Sequence, residues 1–282
     1  MTEPDAVRAL VRMALEEDVG DGDWTTAWTV DADARARAHV LAKEDLVVSG
    51  TDVFRTVYET LDPTVSADIR APDGTRVHAG EIVIELAGPT RALLTGERTA
   101  LNFLGRLSGI ATLTRRFVDA VEGTGARISD TRKTTPGWRY LEKAAVRAGG
   151  GSNHRFGLHD MVLIKENHVF AAGGVARAIE RVREENRMGL AVEVEVRDLV
   201  ELDEALQYDV QRIMLDNMSP EDLALAVRRV RRGSSGGPEL EASGNVDLKR
   251  VRAIAEAGVD VISVGALTHS ARSGDFTLLM QR

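Results

Sequence analysis

The 282-residue chain has no cysteine. Disulfide staples, thiolate metal sites and a cysteine nucleophile are thereby excluded, and a reducing compartment, the cytoplasm, is expected. Long apolar runs are missing as well: none approaches the ~18 residues of a membrane-spanning helix, so no membrane partner is expected. The opening stretch MTEPDAVRALVRMALEED reads as a charged amphipathic helix and lacks the basic start and apolar run of a secretion signal. Nor is there an excess of positive charge. A formal net charge of -8 argues against general nucleic-acid binding, which needs a broad basic face. No internal sequence repeat is evident. What is present is a 43% hydrophobic chain, long enough for one large domain or two of ordinary size and too apolar to be disordered.

One stretch departs from the acidic average. SDTRKTTPGWRYLEKAAVRAGGGSNHRFGLHDMVLIKENH, residues 129–168, holds seven Lys or Arg, three of the six His and only four acids. Such a concentration of cations calls for an anionic ligand. Within it Arg139, Lys143 and Arg147 recur at i, i+4 and i+8 and share one helix face, which a solvated surface would also explain. The glycine-rich GGGSNHR at 149–155 reads as a flexible anion loop that delivers His154 and Arg155.

The chain changes character near residue 125. Before it the pattern is mixed: helices over PDAVRALVRMALEED, TDVFRTVYETLD and a thirty-residue run from Thr90, loosened at Gly105 and Gly109, with strands over ARAHVLAKE and between turns at 72–74 and 79–80. After it six short β-rich runs (ARISDT, DMVLIKE, LAVEVEV, RIMLDN, ELEASGN, VDVISVG) occur, and helical stretches at 173–188, 198–208, 219–232 and 247–257 separate the later ones. This alternation predicts parallel strands with helical crossovers, as a β/α barrel or, second, a doubly wound sheet. The basic RRVRRGSSGG at 228–237 reads as a solvated helix end and loop.

Each of these strands ends in a residue of chemical use. Arg132 and Lys133 follow the first, Lys165 ends the second, Glu195 lies on the third and Asp216 ends the fourth; Ser243, Gly244 and Asn245 close the fifth and Gly265 the sixth. Both candidate architectures place their active sites at strand C-termini, so the six positions converge on one mouth. Lys165 could equally be a strand end reaching water. Glu193 and Glu195 share a strand face. In a strand buried on both sides they need cations or a metal, whereas an exposed edge strand would carry them unaided. Asp216 poses the same question, and carboxylates at a cationic mouth suit Mg²⁺ or sugar hydroxyls. The glycine-bearing ends ASGN and SVGA precede candidate helices, where backbone N–H groups bind phosphate. Composition and spacing therefore describe a substrate with several anionic groups, one of them a phosphate, without naming the reaction.

The segments ERTALNFLGRLSGIAT, VEVEV, IMLDN, EASGNV and GVDVISVGALTHSA, the forty-residue block, and EDVGDGDWTT near the start together resemble the quinolinate phosphoribosyltransferases, also called nicotinate-nucleotide pyrophosphorylases (carboxylating). The match is collinear from about residue 10 to 280. The resemblance implies an α/β protein: an N-terminal α/β sandwich domain over 1–124 and an incomplete β/α barrel over 125–267, with the tail 268–282 returning to the first domain. It implies that quinolinate and phosphoribosyl pyrophosphate are joined, with release of CO₂ and pyrophosphate, to give nicotinate mononucleotide for NAD synthesis.

It further implies that Arg98, Arg132, His154, Arg155 and Lys165 line the quinolinate pocket, with Lys133 beside it and within reach of pyrophosphate. Glu195 and Asp216 would face the ribose and Mg²⁺; Ser243, Gly244, Asn245, Gly265 and Ala266 would cradle the phosphate, with Thr131 and Val264 among the substrate contacts. Lys133, Lys165, Glu195 and Asp216 would be the catalytic set. Arg98 would reach the mouth of a neighbouring subunit, which makes a homodimer obligatory and leaves larger assemblies open. Trp138 and His159 depart from the family's usual smaller aliphatic and aromatic residues. Two rivals remain: a Schiff-base aldolase using Lys165, and a transport-linked, non-catalytic paralogue that keeps the fold.

Overall fold

The computed structural model describes residues 3–233 and 237–281; residues 234–236 of the 228–237 segment lie outside the described residues. In chain order the elements are α1 (Glu3–Val19), α2 (Trp24–Thr29), β1 (Arg35–Ala42), β2 (Leu46–Val47), α3 (Thr51–Leu61), β3 (Ser66–Ile69), β4 (Arg76–Val77), β5 (Ile82–Pro89) and α4 (Thr90–Ala120). There follow β6 (Arg127–Ser129), α5 (Arg139–Ala148), β7 (Val162–Ile164), α6 (Glu166–Ala172), α7 (Val175–Glu185), β8 (Val192–Val196) and α8 (Leu199–Ala205). The chain closes with β9 (Arg212–Asp216), α9 (Pro220–Gly233), β10 (Glu239–Ser243), α10 (Val251–Glu256), β11 (Val261–Ser263), α11 (Ala266–His269) and β12 (Phe276–Gln281). Among the described residues two compact units form, one from 3–115, 135–150 and 270–281, the other from 116–134 and 151–269.

The first unit is built on an antiparallel sheet of order β12-β1-β5-β3, with a small β2-β4 ladder beside it. The period-two pattern of β1 buries Ala38, Val40 and Ala42, as alternation requires. Helix α3 buries Val53, Phe54, Val57 and Tyr58, one stripe at helical spacing. Its own N-cap residue, Gly50, offers no side chain. The orphan N–H groups are taken instead by Asp73 of the Pro-Asp-Gly turn, which accepts from Gly50 N at 2.9 Å and Thr51 N at 3.0 Å. The C-terminal strand β12 pairs with β1 from Phe276 opposite Ala42 to Gln281 opposite Arg37.

Helix α4 runs unbroken for 31 residues, so the expected loosening at Gly105 and Gly109 does not occur. The glycines serve close approach instead. A Cβ at Gly109 would stand 1.9 Å from the Arg272 carbonyl oxygen, and one at Gly105 would stand 2.8 Å from that of Gly274. On helix α5 the basic face is solvated only in part: Arg147 is exposed and Arg139 half-buried, but Lys143 is 2% exposed, and its neighbour Glu142 is fully buried with Arg106 at 2.9 Å. Trp138 stacks on Phe103 with ring centroids 4.7 Å apart.

The second unit holds the six parallel strands in the order β6-β11-β10-β9-β8-β7. Apart from β6 the order is sequential, which is the winding of a barrel; a doubly wound sheet reverses at a switch point. The first strand sits beside the last, and an isolated bridge from Ser129 to Ser152 extends β6 on its other side. Strand β8 is therefore interior, not an edge.

Candidate active site

Alternate residues of the parallel strands point to opposite faces. On β8, β9 and β10 one row is apolar and buried: Val192, Val194 and Val196, then Ile213 and Leu215, then Leu240 and Ala242. The other row is Glu193 and Glu195, then Arg212, Met214 and Asp216, then Glu239, Glu241 and Ser243. Members of this polar row line a cavity of about 860 Å³, at the upper end for small-molecule sites. Its wall takes residues from the C-terminal ends of all six strands: Thr131, Arg132 and Lys133, Lys165, Glu195, Asp216, Ser243 and Gly265. Strands stand ~4.8 Å apart, so only a curled sheet presents six ends to one cavity.

Cations occupy one side. The Nε atoms of Arg132 and Arg155 are sealed from solvent and, among the described residues, donate to no acceptor. Arg155 is fixed elsewhere: its backbone N–H donates to His154 Nδ1 at 2.8 Å and its Nη1 to the Met161 carbonyl at 3.1 Å. Burial, and next the like charge of Arg132, hold its guanidinium below the ordinary range. Buried donors without acceptors, on two mutually repelling cations, favour a ligand with more than one negative charge.

The carboxylates are answered within the barrel. Lys165 Nζ donates to Glu195 Oε2 at 3.1 Å, and His154 Nε2 lies 2.9 Å from Glu193. Glu241 accepts from the Ser263 hydroxyl and from Arg212 Nη1, the latter at 3.0 Å. Burial foremost pushes the carboxyls of Glu193 and Glu241 up to about 7. The edge-strand explanation for the paired glutamates thus falls away.

The ends of β9 and β10 carry strained backbone. Asn217 and Asn245 take φ of 52° and 48°, uncommon for residues with a Cβ. Asn217 donates to Asp216 Oδ2 at 2.8 Å and accepts from Asn245 Nδ2 at 3.0 Å, so the ends of β9 and β10 are laced together. Gly244, at φ 95°, permits this: a Cβ there would stand 2.3 Å from Asn217 Oδ1. The stem of Lys133 passes Gly265, where a Cβ would meet its Cδ at 3.0 Å, and the Lys133 carbonyl is held by Thr268 Oγ1 at 2.8 Å.

Of the residues singled out from sequence, Thr131, Arg132, Lys133, His154, Arg155, Lys165, Glu195, Asp216, Ser243, Gly244, Asn245, Gly265 and Ala266 line this cavity. Val264 is 1% exposed and does not line it. Arg98 is exposed on α4 in the first unit and is not among the lining residues. The sequence reading missed Asn217, Glu241, Arg250 and His269, all lining residues. Period two from Ser243 would have found Glu241, and Asn217 adjoins Asp216. Arg250, whose Nη1 donates to the Asn245 carbonyl at 3.0 Å, and His269 lie beyond the strand ends, where no local signal points inward.

Residues 110–279 match the C-terminal domain, and residues 23–108 the N-terminal domain, of quinolinate phosphoribosyl transferase. The chain belongs to this family. A probable nicotinate-nucleotide pyrophosphorylase (carboxylating) of Synechocystis sp. is 44% identical over 254 residues, 89% of this chain and 85% of the relative. The similarly named Bacillus subtilis protein is 40% identical over 96% of this chain and 92% of its own length. Among solved structures, the nicotinate-nucleotide pyrophosphorylase from Francisella tularensis superposes with a TM-score of 0.94 at 40% identity, covering 100% of this chain and 98% of that one. Family membership removes the Schiff-base aldolase alternative.

Proposed function

We infer that the cavity transfers phosphoribosyl from phosphoribosyl pyrophosphate to quinolinate with decarboxylation, giving nicotinate mononucleotide, CO₂ and pyrophosphate in NAD biosynthesis. The chain is a pentosyltransferase of the quinolinate phosphoribosyltransferase family. The observation that carries the reading into this site is the pair of sealed, acceptor-free guanidinium nitrogens on Arg132 and Arg155. They share one cavity with the glycine-bearing ends at 243–245 and 265. A dicarboxylate on one side and a phosphate on the other satisfy both.

In this reading Arg132, Arg155 and Lys165 take the quinolinate carboxylates above His154, and Lys133 reaches toward the pyrophosphate. Thr131, Ser243, Gly244, Asn245, Gly265 and Ala266 hold the sugar phosphate. As the bond from C1 to pyrophosphate breaks, positive charge develops at C1, and Glu195 and Asp216 temper it. The pyridine nitrogen then bonds to C1. The cationic ring stabilises the electron pair left on the ring carbon when its bond to the adjacent carboxylate breaks and CO₂ leaves. That carbon then takes up a proton from water to give the C–H bond of the product. No covalent enzyme intermediate is required.

The oxygen donors of Glu195 and Asp216, on the adjacent strands β8 and β9, fit a hard cation. They would hold Mg²⁺, which when bound supplies neutralisation of the departing pyrophosphate.

Two finer points belong to the same reading. Arg98 would complete the quinolinate site of a second copy in a homodimer, which is supported by its exposure and its place outside this chain's cavity. A cytoplasmic location rests on the composition; among the described residues no helix is long and apolar enough to cross a membrane. The deciding assay is nicotinate mononucleotide formation from quinolinate, phosphoribosyl pyrophosphate and Mg²⁺, with nicotinate as control. Absence of product from quinolinate would favour the non-catalytic paralogue.

A further inference from the structure

Beneath the cations the interior of the barrel is ionic. Glu193 and Glu241 are 0% exposed and His154 8%, and their ligand atoms lie within 4.8 Å of one another. His154 is hydrogen-bonded at Nδ1 and lies close to two carboxyl groups at Nε2. Nδ1 accepts the Arg155 backbone N–H at 2.8 Å; Nε2 stands 2.9 Å from Glu193 Oε2 and 3.5 Å from Glu241 Oε2. A ring nitrogen that accepts an N–H carries no hydrogen of its own. A neutral ring then carries its one hydrogen on Nε2, the nitrogen that stands beside the two carboxyl groups without hydrogen-bond alignment to Glu193.

The same geometry argues against a metal ion in this cluster. A cation on Nε2 would need the lone pair there, and the ring would be left with no hydrogen at all. It also argues against His154 as a charge for the substrate, since Nδ1 has no room for a proton while the backbone N–H donates to it. Glu241 is held independently, by Ser263 Oγ and Arg212 Nη1. Glu193 has no comparable donors: its close approaches are to the imidazole and to the Glu241 carboxyl. A buried carboxyl that costly is explained by what it does to the ring.

We propose that Glu193, backed by Glu241, is a positioning residue for quinolinate. It holds His154 as the Nε2–H tautomer, so that Nδ1 accepts the Arg155 N–H and sets Arg155 for the substrate carboxylate. His154 then acts through Arg155 and not as a cation. The proposal rests on the reading of the cavity as a quinolinate site. It adds a fixed placement of the ring hydrogen, set by the carboxylate beside Nε2 and passed through Nδ1 to Arg155, that decides affinity for one substrate and not for the other.

Three measurements test it. Long-range ¹H–¹⁵N spectra of wild-type protein, with His154 assigned by substitution, should show Nε2 protonated and Nδ1 as an acceptor near neutral pH; an Nδ1–H tautomer or an imidazolium overturns the proposal. Steady-state kinetics of Glu193→Ala should raise KM for quinolinate at least about tenfold and leave KM for phosphoribosyl pyrophosphate within about twofold, as removal of a ligand-orienting partner does. Glu193→Gln offers the same acceptor to Nε2–H in the same shape and should restore the quinolinate KM to within about threefold of wild type. Equal rises in both KM values, or no rescue by Gln, overturn it. His154→Asn, whose Oδ1 can replace Nδ1 as acceptor, should bind quinolinate better than His154→Leu; equal weakening in the two would restore a cationic role for His154 and overturn the proposal. If wild-type protein forms no product from quinolinate, the functional reading fails instead, and the tautomer measurement still stands.

Discussion

Lys165 Nζ lies 3.1 Å from Glu195 Oε2, a bond between the ends of neighbouring strands β7 and β8. One partner is assigned to the pyridine carboxylates and the other to the ribose, so the two substrates meet across this pair. Glu195→Gln keeps the shape and removes the charge opposite the developing sugar cation. Its kcat should fall about 100-fold, the scale of losing one preorganised electrostatic partner. An unchanged kcat in steady-state assays would remove Glu195 from the chemistry.

Substrate choice follows from the cations. Nicotinate lacks one carboxylate, and leaving a buried charge without its partner costs about 2–5 kcal/mol. At ~1.4 kcal/mol per decade, kcat/KM for nicotinate should be at least about 30-fold below that for quinolinate. Equal turnover of the two would point to a salvage activity.

The metal proposal predicts that Asp216→Asn lowers activity and raises the Mg²⁺ concentration for half-maximal rate by about tenfold or more, because a charged oxygen ligand is removed. Full wild-type activity in excess EDTA would count against any role for Mg²⁺.

Gly244 provides a test of the phosphate cradle. A Cβ at φ 95°, 2.3 Å from Asn217 Oδ1, must push the asparagine away from Asp216 and Asn245. Gly244→Ala should raise KM for phosphoribosyl pyrophosphate about tenfold or more and cost about 1–3 kcal/mol of stability through backbone strain. A KM and a Tm both equal to those of wild type would mean that the loop tolerates a side chain.

Sharing of the site between subunits is tested by complementation. Arg98→Ala and Lys165→Ala should each be nearly inactive alone. After subunit exchange half the dimers are hybrids with one intact site, and random pairing in a closed two-fold assembly restores about a quarter of wild-type activity. No recovery, with exchange shown by mass spectrometry, would confine Arg98 to its own chain.

The barrel half was legible because its signals are local. Runs such as RIMLD and VEVEV pair β-branched or apolar residues with a polar residue at the strand end, and all six of the expected strands are present. The errors arose where a distant partner decides the outcome. Gly105 and Gly109 read as weak points in a helix because the tail that lies against them is some 165 residues away in sequence (Arg106 bonds to the Ala271 carbonyl). On α5 the choice between a solvated and a functional basic face stayed open, because nothing near Lys143 in sequence announces its burial, nor Arg106 as the partner of the adjacent Glu142. Helices α6 and α11 and the β2-β4 ladder are too short to show a period. Glu193 was seen as a carboxylate in need of a partner; that the partner is His154 required the fold.

The pairing of β12 with β1 sets a clock on synthesis. Between the end of β1 at Ala42 and the start of β12 at Phe276 lie roughly 230 residues, which at about 5–20 residues per second take roughly 12–47 s to translate. For that interval β1 presents an unpaired edge on a chain still attached to the ribosome, a template for pairing with another nascent chain. The six-stranded unit, complete by His269, can close before the sheet that begins the chain. Residues made late therefore finish a sheet begun early, and a chain that stopped before Phe276 would leave that edge open for good.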